Sequence, residues 1–274
     1  VDNISVDVPA IVKRSRDVSN RLSKGIEFLM KKNKITHIHG MGKLTSKTTI
    51  ETTSGKKKEK VNAKKTIIAT GAHPRTFPGM EIDGQKVISS REAMMLDVPP
   101  KKMIIIGSGA IGCEFASYFN EFGTETHLVE MLDRVLPVED ADVSKEVTRN
   151  FKKFGIKIHT GTKVSSINKL KTKVKVHTEK NGNQEILEGD LALLAAGVTG
   201  NIEKIGLERL GIVTDGGAIT INEYNQTNIP NIYAIGDVTG SPWLAHVASA
   251  QGHVAADHAA GHEAKPVNYS NIPG

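Results

Sequence analysis

Apolar residues along this chain recur in two registers, one helical and one extended. Ile11, Val18, Leu22, Ile26 and Leu29 follow one another at spacings of seven, four, four and three, laying a single stripe along a helix. Asp7 can cap the first turn of that helix, where Pro9 is tolerated. Val143, Val147 and Phe151 repeat every four residues and predict a second amphipathic helix. Elsewhere the apolar residues form short runs. Met103-Ile104-Ile105-Ile106 is continuous, as expected of a parallel strand buried on both faces. Val174 and Val176 alternate with polar residues and lead to Asn181-Gly182, the signal of a tight hairpin.

These elements fall into two similar series. The first starts at Lys31-Lys32-Asn33-Lys34, passes through a short strand at Ile35–Ile38 and a lysine-rich turn, and closes at Ile67-Ile68-Ala69-Thr70-Gly71. The second starts at Lys152-Lys153-Phe154-Gly155, passes through Ile156–Ile158 and the Asn181-Gly182 turn, and closes at Leu193-Leu194-Ala195-Ala196-Gly197. Each reads as a helix end, a strand, a meander and an apolar strand stopping at glycine. In the second series, Gly107-Ser108-Gly109-Ala110-Ile111-Gly112 stands upstream. Laid back from Gly71, the interval from Gly107 to Gly197 falls before residue 1. The first series is therefore expected to lack its own glycine turn, and the chain, which begins with Val rather than Met, reads as truncated.

The glycine segment sits where phosphate chemistry requires it. It follows the Met103–Ile106 strand, opens a helix running through Glu114 to Phe122, and precedes the strand Thr126–Val129, which ends at Glu130. That acid lies about twenty positions after Gly107, the spacing of a dinucleotide fold. Gly107 allows the tight turn, Gly109 lets backbone approach a pyrophosphate, and Gly112 lets helix and strand pack closely. Glu130 is suited to a ribose diol and repels a 2′-phosphate, favouring NAD over NADP; Arg134 keeps that preference open. A second ligand-facing strand end is Asn231-Ile232-Tyr233-Ala234-Ile235-Gly236-Asp237-Val238, which also reads as a capped strand. On spacing alone Glu114 is a surface or capping carboxylate, and Cys113 a packed core cysteine.

Composition narrows the field. The 274 residues, 38% hydrophobic and 24% charged, suit a globular protein with real cores. No apolar run is long enough to span a membrane. A lone cysteine excludes an intramolecular disulfide. The net charge of +6 owes much to Lys56-Lys57-Lys58, Lys60, Lys64 and Lys65, without interleaved aromatic rings; this reads as a solvated hairpin tip and not a nucleic-acid surface. His246, His253, His258 and His262 do not carry the spacing of a metalloprotease helix, and no metal is expected.

Taken in order, these stretches resemble the FAD/NAD-linked disulfide reductase family, and within it the dihydrolipoamide dehydrogenase branch, over nearly the whole chain. Gly25-Ile26-Glu27-Phe28-Leu29, Lys31–Lys34, Ile68–Gly71, Gly107–Glu114, Arg134-Val135-Leu136-Pro137, Asp140-Ala141-Asp142, Ala234–Val238 and Leu244-Ala245-His246 carry the resemblance. It implies an α/β protein of two Rossmann-like dinucleotide-binding domains, the NAD domain inserted into an incomplete FAD domain. Residues 1–98 and 223–265 would be the FAD domain, 99–222 the NAD domain, and 266–274 a stub of the dimerisation domain.

The resemblance also implies residue roles. Gly107, Ser108, Gly109, Ala110, Ile111, Gly112, Glu130, Val164 and Gly197 would hold NAD. Gly42, Thr70, Gly71, Gly236, Asp237, Leu244, Ala245 and His246 would hold FAD, and Glu114 would lie where nicotinamide meets flavin. Ala110 replaces a larger gate residue, leaving nicotinamide access open. The implied reaction passes electrons from a dihydrolipoyl group through a disulfide and FAD to NAD. The redox cysteine pair, the first glycine motif and the partner-supplied His and Glu have no counterpart here, so this chain is expected to bind NAD without turning over. Val198-Thr199-Gly200-Asn201 stands where relatives carry an arginine. Family members are homodimers in 2-oxoacid dehydrogenase complexes, through surfaces outside this chain. The expected compartment is cytoplasm, or alternatively mitochondrial matrix. Competing readings are a glutathione, mercuric or ferredoxin-type reductase, and a non-enzymatic nucleotide-binding fragment.

Overall fold

A computed structural model describes residues 6–273. In chain order it runs α1 (Val8–Lys32), β1 (Met41–Ser46), β2 (Thr49–Ser54), β3 (Lys57–Asn62), β4 (Thr66–Ile68), β5 (Ala72–Pro74), β6 (Val87–Ile88) and α2 (Ser90–Ala93). There follow β7 (Lys102–Ile106), α3 (Ala110–Glu121), β8 (Glu125–Val129), α4 (Ala141–Lys153), β9 (Lys157–His159), β10 (Lys163–Lys169), β11 (Val174–Lys180), β12 (Asn183–Gly189) and β13 (Leu191–Leu194). The last elements are β14 (Val198–Gly200), α5 (Leu207–Leu210), β15 (Thr214–Asp215), β16 (Ala218–Ile219), β17 (Ile232–Ala234) and α6 (Ala245–Ala260). Two compact units share this chain. One takes the residues up to Leu29 and Pro74–Gly197, the other Met30–His73 and the residues from Val198 onward.

The first unit is built on a parallel sheet of order β6-β13-β7-β8-β9. Its centre, β7, is apolar from Met103 to Ile106 because both faces are covered there. Ile104 and Ile106 point into a cluster with Val164, Val174, Val176 and Leu187 from the β10-β11-β12 meander. Met103 and Ile105 point the other way, to Ala116 and Phe119 of α3. Met103, Ile104 and Ile105 have no exposed surface, so truncating either isoleucine to alanine costs about 2–5 kcal/mol. The Asn181-Gly182 hairpin forms as expected: Lys180 pairs with Asn183, and both turn residues take positive φ, as a primed two-residue turn requires.

The second unit repeats part of this plan. An antiparallel meander β1-β2-β3 precedes β4, which pairs in parallel with β17. Leu44, Ile68, Ile205, Ile232, Ala234 and Val238 form its core. Helix α6 is fixed to β17 by the buried Tyr233, whose hydroxyl lies 2.9 Å from His258 Nδ1, while Tyr224 stacks on the same imidazole. The mixed α/β architecture with its doubled dinucleotide-type arrangement agrees with the sequence expectation.

Two features depart from it. Helix α1 is capped by the Asp7 side chain, which accepts from the Ala10 N–H at 3.0 Å, but its apolar stripe is not a core stripe. Leu22 is 66% and Ile26 56% exposed, while Ile11 at the start of the stripe faces α3 across a cavity lined by Phe115 and Tyr118. The strand expected at Ile35–Ile38 is irregular backbone with both isoleucines exposed; a strand needs a partner, and none pairs with it among the described residues. Strand β6 pairs with the edge of β13, so Val87 and Ile88 belong to the parallel sheet of the first unit.

Candidate functional site

The strands β7, β8 and β13 end side by side, and an open parallel sheet places its ligand crevice beyond such carboxyl ends, where neighbouring strands leave the chain in different directions. Here a cavity of about 480 Å³ opens over Ile106, Val129 and Leu194. Gly107 and Gly109 form one wall, Glu130, Met131 and Leu132 a second, and Thr162, Lys163 and Val164 a third. Arg75 and Gly197 complete it, joined by the Arg75 N–H donating to the Gly197 carbonyl at 3.0 Å. Two cations, Arg75 and Lys163, thus face a crevice at a helix start.

The glycines have distinct local duties. Gly107 takes φ +100°, and a Cβ there would lie 2.5 Å from the Ala195 carbonyl oxygen. A Cβ on Gly112 would come within 1.9 Å of the Gly107 carbonyl oxygen, so α3 approaches the turn as only glycine allows. Gly109 is different: its φ of −68° is ordinary, and a Cβ would meet nothing within 4 Å. The structure therefore leaves open space beside the N-cap of α3, where first-turn N–H groups lack intrahelical acceptors and the helix dipole favours an anion.

Across from that turn stands Glu130, buried to 8% exposure at the end of β8. Its Oε2 accepts from the Ser108 N–H at 2.8 Å and the Ser108 hydroxyl at 2.9 Å, and its Oε1 accepts from the Leu132 N–H at 2.9 Å. Three donors hold one carboxylate at the cavity wall, leaving oxygen acceptor capacity for a ligand hydroxyl. Beneath it, burial and the charges of Glu130 and Glu114 push the Cys113 thiol up to about 12. Cys113 thus stays a thiol and donates to the Ser108 carbonyl at 3.3 Å.

The structure gathers Gly107, Gly109, Glu130, Val164 and Gly197 on the cavity, with Ser108 buried behind it. Ala110, Ile111 and Gly112 form the first turn of α3. Glu114 lies on another face of α3 and lines a separate cavity of about 360 Å³ with Ile11, Val12 and Ser15 of α1. Arg134 is turned into its own loop, donating to the Pro137 and Glu139 carbonyls. Arg75, Lys163 and Met131 were missed by sequence reasoning. Lys163 has a signal in its position beside Val164, whereas nothing in the local pattern marks Arg75.

In the second unit Thr70-Gly71 and Gly236-Asp237 follow the ends of the paired strands β4 and β17, the Ile235 N–H donating to the Ile68 carbonyl at 2.9 Å. Thr70 is tied to Asn201: its hydroxyl donates to the Asn201 carbonyl, and the Asn201 amide returns to the Thr70 carbonyl, each at 2.8 Å. The Gly236 N–H donates to Gln251 Oε1 of α6 at 2.6 Å, and Asp237 remains partly exposed. Leu244 caps α6, with Ala245 and His246 in its exposed first turn. Gly42 lies on β1, opposite Thr52. The parallel strand ends and the accessible Asp237 carboxylate suit a ligand bearing hydroxyl groups. Among the described residues no group of three or more His, Cys, Asp or Glu side chains is placed to hold a metal, and no helix is long and apolar enough to cross a membrane.

Comparison with known proteins places this geometry. Residues 3–252 match the family profile described as pyridine nucleotide-disulphide oxidoreductase. The dihydrolipoyl dehydrogenase of Rhizobium etli is 40% identical over 99% of this chain and 60% of its own length. That of Chlamydia pneumoniae is 41% identical over 100% of this chain and 58% of its own length. The chain therefore spans about three fifths of the length of these curated relatives. Among solved structures, LpdA of Mycobacterium tuberculosis superposes with a TM-score of 0.91 at 30% identity, covering 99% of this chain and 60% of LpdA. The HOCl-induced flavoprotein disulfide reductase RclA of Escherichia coli gives 0.86 at 27% identity, over 95% and 59% of the two chains.

Proposed function

The chain belongs to the pyridine nucleotide-disulphide oxidoreductase family, whose dihydrolipoyl dehydrogenases use FAD and NAD, and on that premise we propose that its Gly107–Glu130 cavity is an NAD(H) site serving dihydrolipoyl oxidation. The observation that carries the reading is the buried Glu130 carboxylate, fixed by three donors and facing the cavity opposite the start of α3. The α3 N-terminus and the Gly109 backbone receive the pyrophosphate. Glu130 accepts from the adenosine ribose diol, where a 2′-phosphate would meet a like charge with little solvent to screen it. Val164 and Gly197 flank the cofactor, and Arg75 and Lys163 raise the local concentration of an anionic ligand.

When bound, flavin supplies the two-electron link between a dithiol and the nicotinamide ring. In this chain Asp237 would hold a ribityl hydroxyl, and Thr70-Gly71 would lie by the flavin nucleotide's pyrophosphate. Gly236 and Leu244–His246 would line its ring, and Gly42 would lie near its adenine. Glu114 is proposed at the junction of the two cofactors, although in this structure its carboxylate faces α1. The relatives' names support a dihydrolipoyl group as the whole protein's substrate and lipoyl-bearing dehydrogenase assemblies as its partners. The proposed compartment is the cytoplasm.

Calorimetric titration of NADH and NADPH into the purified chain tests the nucleotide reading. NADH should bind in preference to NADPH, and Glu130→Ala should weaken NADH by roughly tenfold or more, the worth of hydrogen bonds to a charged group. Failure of both nucleotides to bind would remove the site assignment.

A further inference from the structure

Glu130 is the ligand-facing acid, but the residue that aims it stands behind it. Ser108 has no exposed surface, so it cannot touch a ligand in the cavity. Both its donors converge on one atom: the N–H and the hydroxyl reach Glu130 Oε2 at 2.8 and 2.9 Å. A carboxylate oxygen has two lone pairs in its plane, and these two bonds occupy both. Rotation of the carboxylate about its terminal torsion is soft in free glutamate, and here one oxygen is clamped from two directions. The Leu132 N–H takes one position on Oε1. The remaining in-plane lone pair belongs to Oε1, and it sets the direction from which a ribose hydroxyl can donate.

The two amides that hold Glu130, those of Ser108 and Leu132, belong to the backbone and are present whichever side chain stands at position 108. The hydroxyl does not. It is the one donor to this carboxylate that a single substitution can remove while the backbone stays. That backbone is anchored independently, because the Ser108 carbonyl accepts from the Leu136 N–H at 2.9 Å and from the Cys113 thiol at 3.3 Å. Loss of the hydroxyl therefore leaves the glycine turn in place and the carboxylate held by one amide on each oxygen, less firmly than before.

We infer that Ser108 is a positioning residue for nucleotide choice: acting through Glu130, its hydroxyl fixes the carboxylate so that the site accepts a 2′-hydroxyl and rejects a 2′-phosphate. This rests on the assignment of the cavity to NAD(H). A carboxylate held less firmly can tilt away from a 2′-phosphate, so both the gain for one nucleotide and the exclusion of the other decline together.

The test is titration of NADH and NADPH into the full chain and its Ser108→Ala, Glu130→Gln and doubly substituted forms. Ser108→Ala should weaken NADH about three- to tenfold, less than a direct hydrogen bond to a charged group is worth because the hydroxyl acts only through Glu130, and lower the NADH-to-NADPH preference by at least as much. In the Glu130→Gln background the same change should leave the preference unaltered, which a purely structural role for Ser108 does not require. Ser108→Cys, which keeps a weaker donor in similar volume, should fall between serine and alanine, and it carries the test if the alanine form does not fold. A Ser108→Ala chain with unchanged preference, whatever its melting temperature, overturns the inference while leaving the NAD site intact. A native chain that binds neither nucleotide overturns the site assignment and the inference with it.

Discussion

Replacing Gly112 with alanine puts a methyl group 1.9 Å from the Gly107 carbonyl oxygen and 3.0 Å from its carbon. The atom it strikes is backbone in a turn whose own Cβ position is closed by Ala195, so neither side can yield by a rotamer change. Helix α3 must draw back from β7 by more than an ångström, and the Phe119 and Ala116 packing against Met103 and Ile105 moves with it. Overpacking of this kind costs about 1–3 kcal/mol, and a backbone-to-backbone clash belongs at the upper end. Gly109→Ala is the matched control: the added methyl enters open space at an ordinary φ, so unfolding free energy should change by less than about 1 kcal/mol. That same space is the proposed pyrophosphate seat, and the methyl should weaken NADH on the order of tenfold, about 1.4 kcal/mol. Urea denaturation followed by circular dichroism, alongside calorimetric titration, separates the two effects. A Gly112→Ala chain with the native urea midpoint would refute the close-packing argument. A Gly109→Ala chain with native NADH affinity would refute the seat.

Three other expectations concern titration and reactivity. His127 Nδ1 and His159 Nε2 are 3.0 Å apart, a bond that a pair carrying two extra protons cannot make, and burial holds both imidazoles below their usual pKa of 6.5. Their folded-state pKa values being depressed, the unfolded chain binds more protons below that pH, so the urea midpoint should fall as pH drops from about 6.5, and His159→Asn should flatten the decline. Although partial burial pushes the Asp83 carboxyl up, the N–H groups of Gln85, Val87 and Lys86 with Lys169 hold it at about 2. Its contribution is present above the unfolded value of 3.8 and is lost as pH falls toward 2; Asp83→Ala should cost about 1 kcal/mol at neutral pH after discounting for its exposure, measured by urea melts. Cys113, buried with its thiol pushed up to about 12, should resist a thiol reagent such as Ellman's at pH 8 in the native chain and react at once in urea; rapid native reaction would contradict the burial.

Legibility in the sequence followed the range of the interactions. The β7 run, the glycine turn, α3, β8 and Glu130 are consecutive, and each is specified by its own residues, so the half of the site they form could be read directly. The Asn181-Gly182 hairpin was legible for the same reason. Lys163 reaches the cavity at the start of β10, and Arg75, just after β5, through its N–H bond to the Gly197 carbonyl beyond β13; both arrangements join segments far apart along the chain. Glu114 shows the limit of a motif: its position on α3 was clear, but the face it occupies was settled by packing against α1. The stripe on α1 and the segment Ile35–Ile38 have the composition of packed elements, yet composition cannot say whether a partner is at hand. Strand β6, two residues long, is too short to announce itself before it pairs with β13.

The strand order β6-β13-β7-β8-β9 also sets a timetable. Strands β7 and β8 are separated by one helix, so their pairing closes a short loop and brings the glycine turn and Glu130 together early. Strand β13 pairs with β7 across α3, α4 and the whole β10-β11-β12 meander, a longer closure costing about 1 kcal/mol more. The glycine turn and Glu130 are thus joined by a shorter-range pairing than the Gly197 wall. On the proposed assignment, nucleotide present during refolding would meet a half-built seat whose grip tightens when the last central strand arrives.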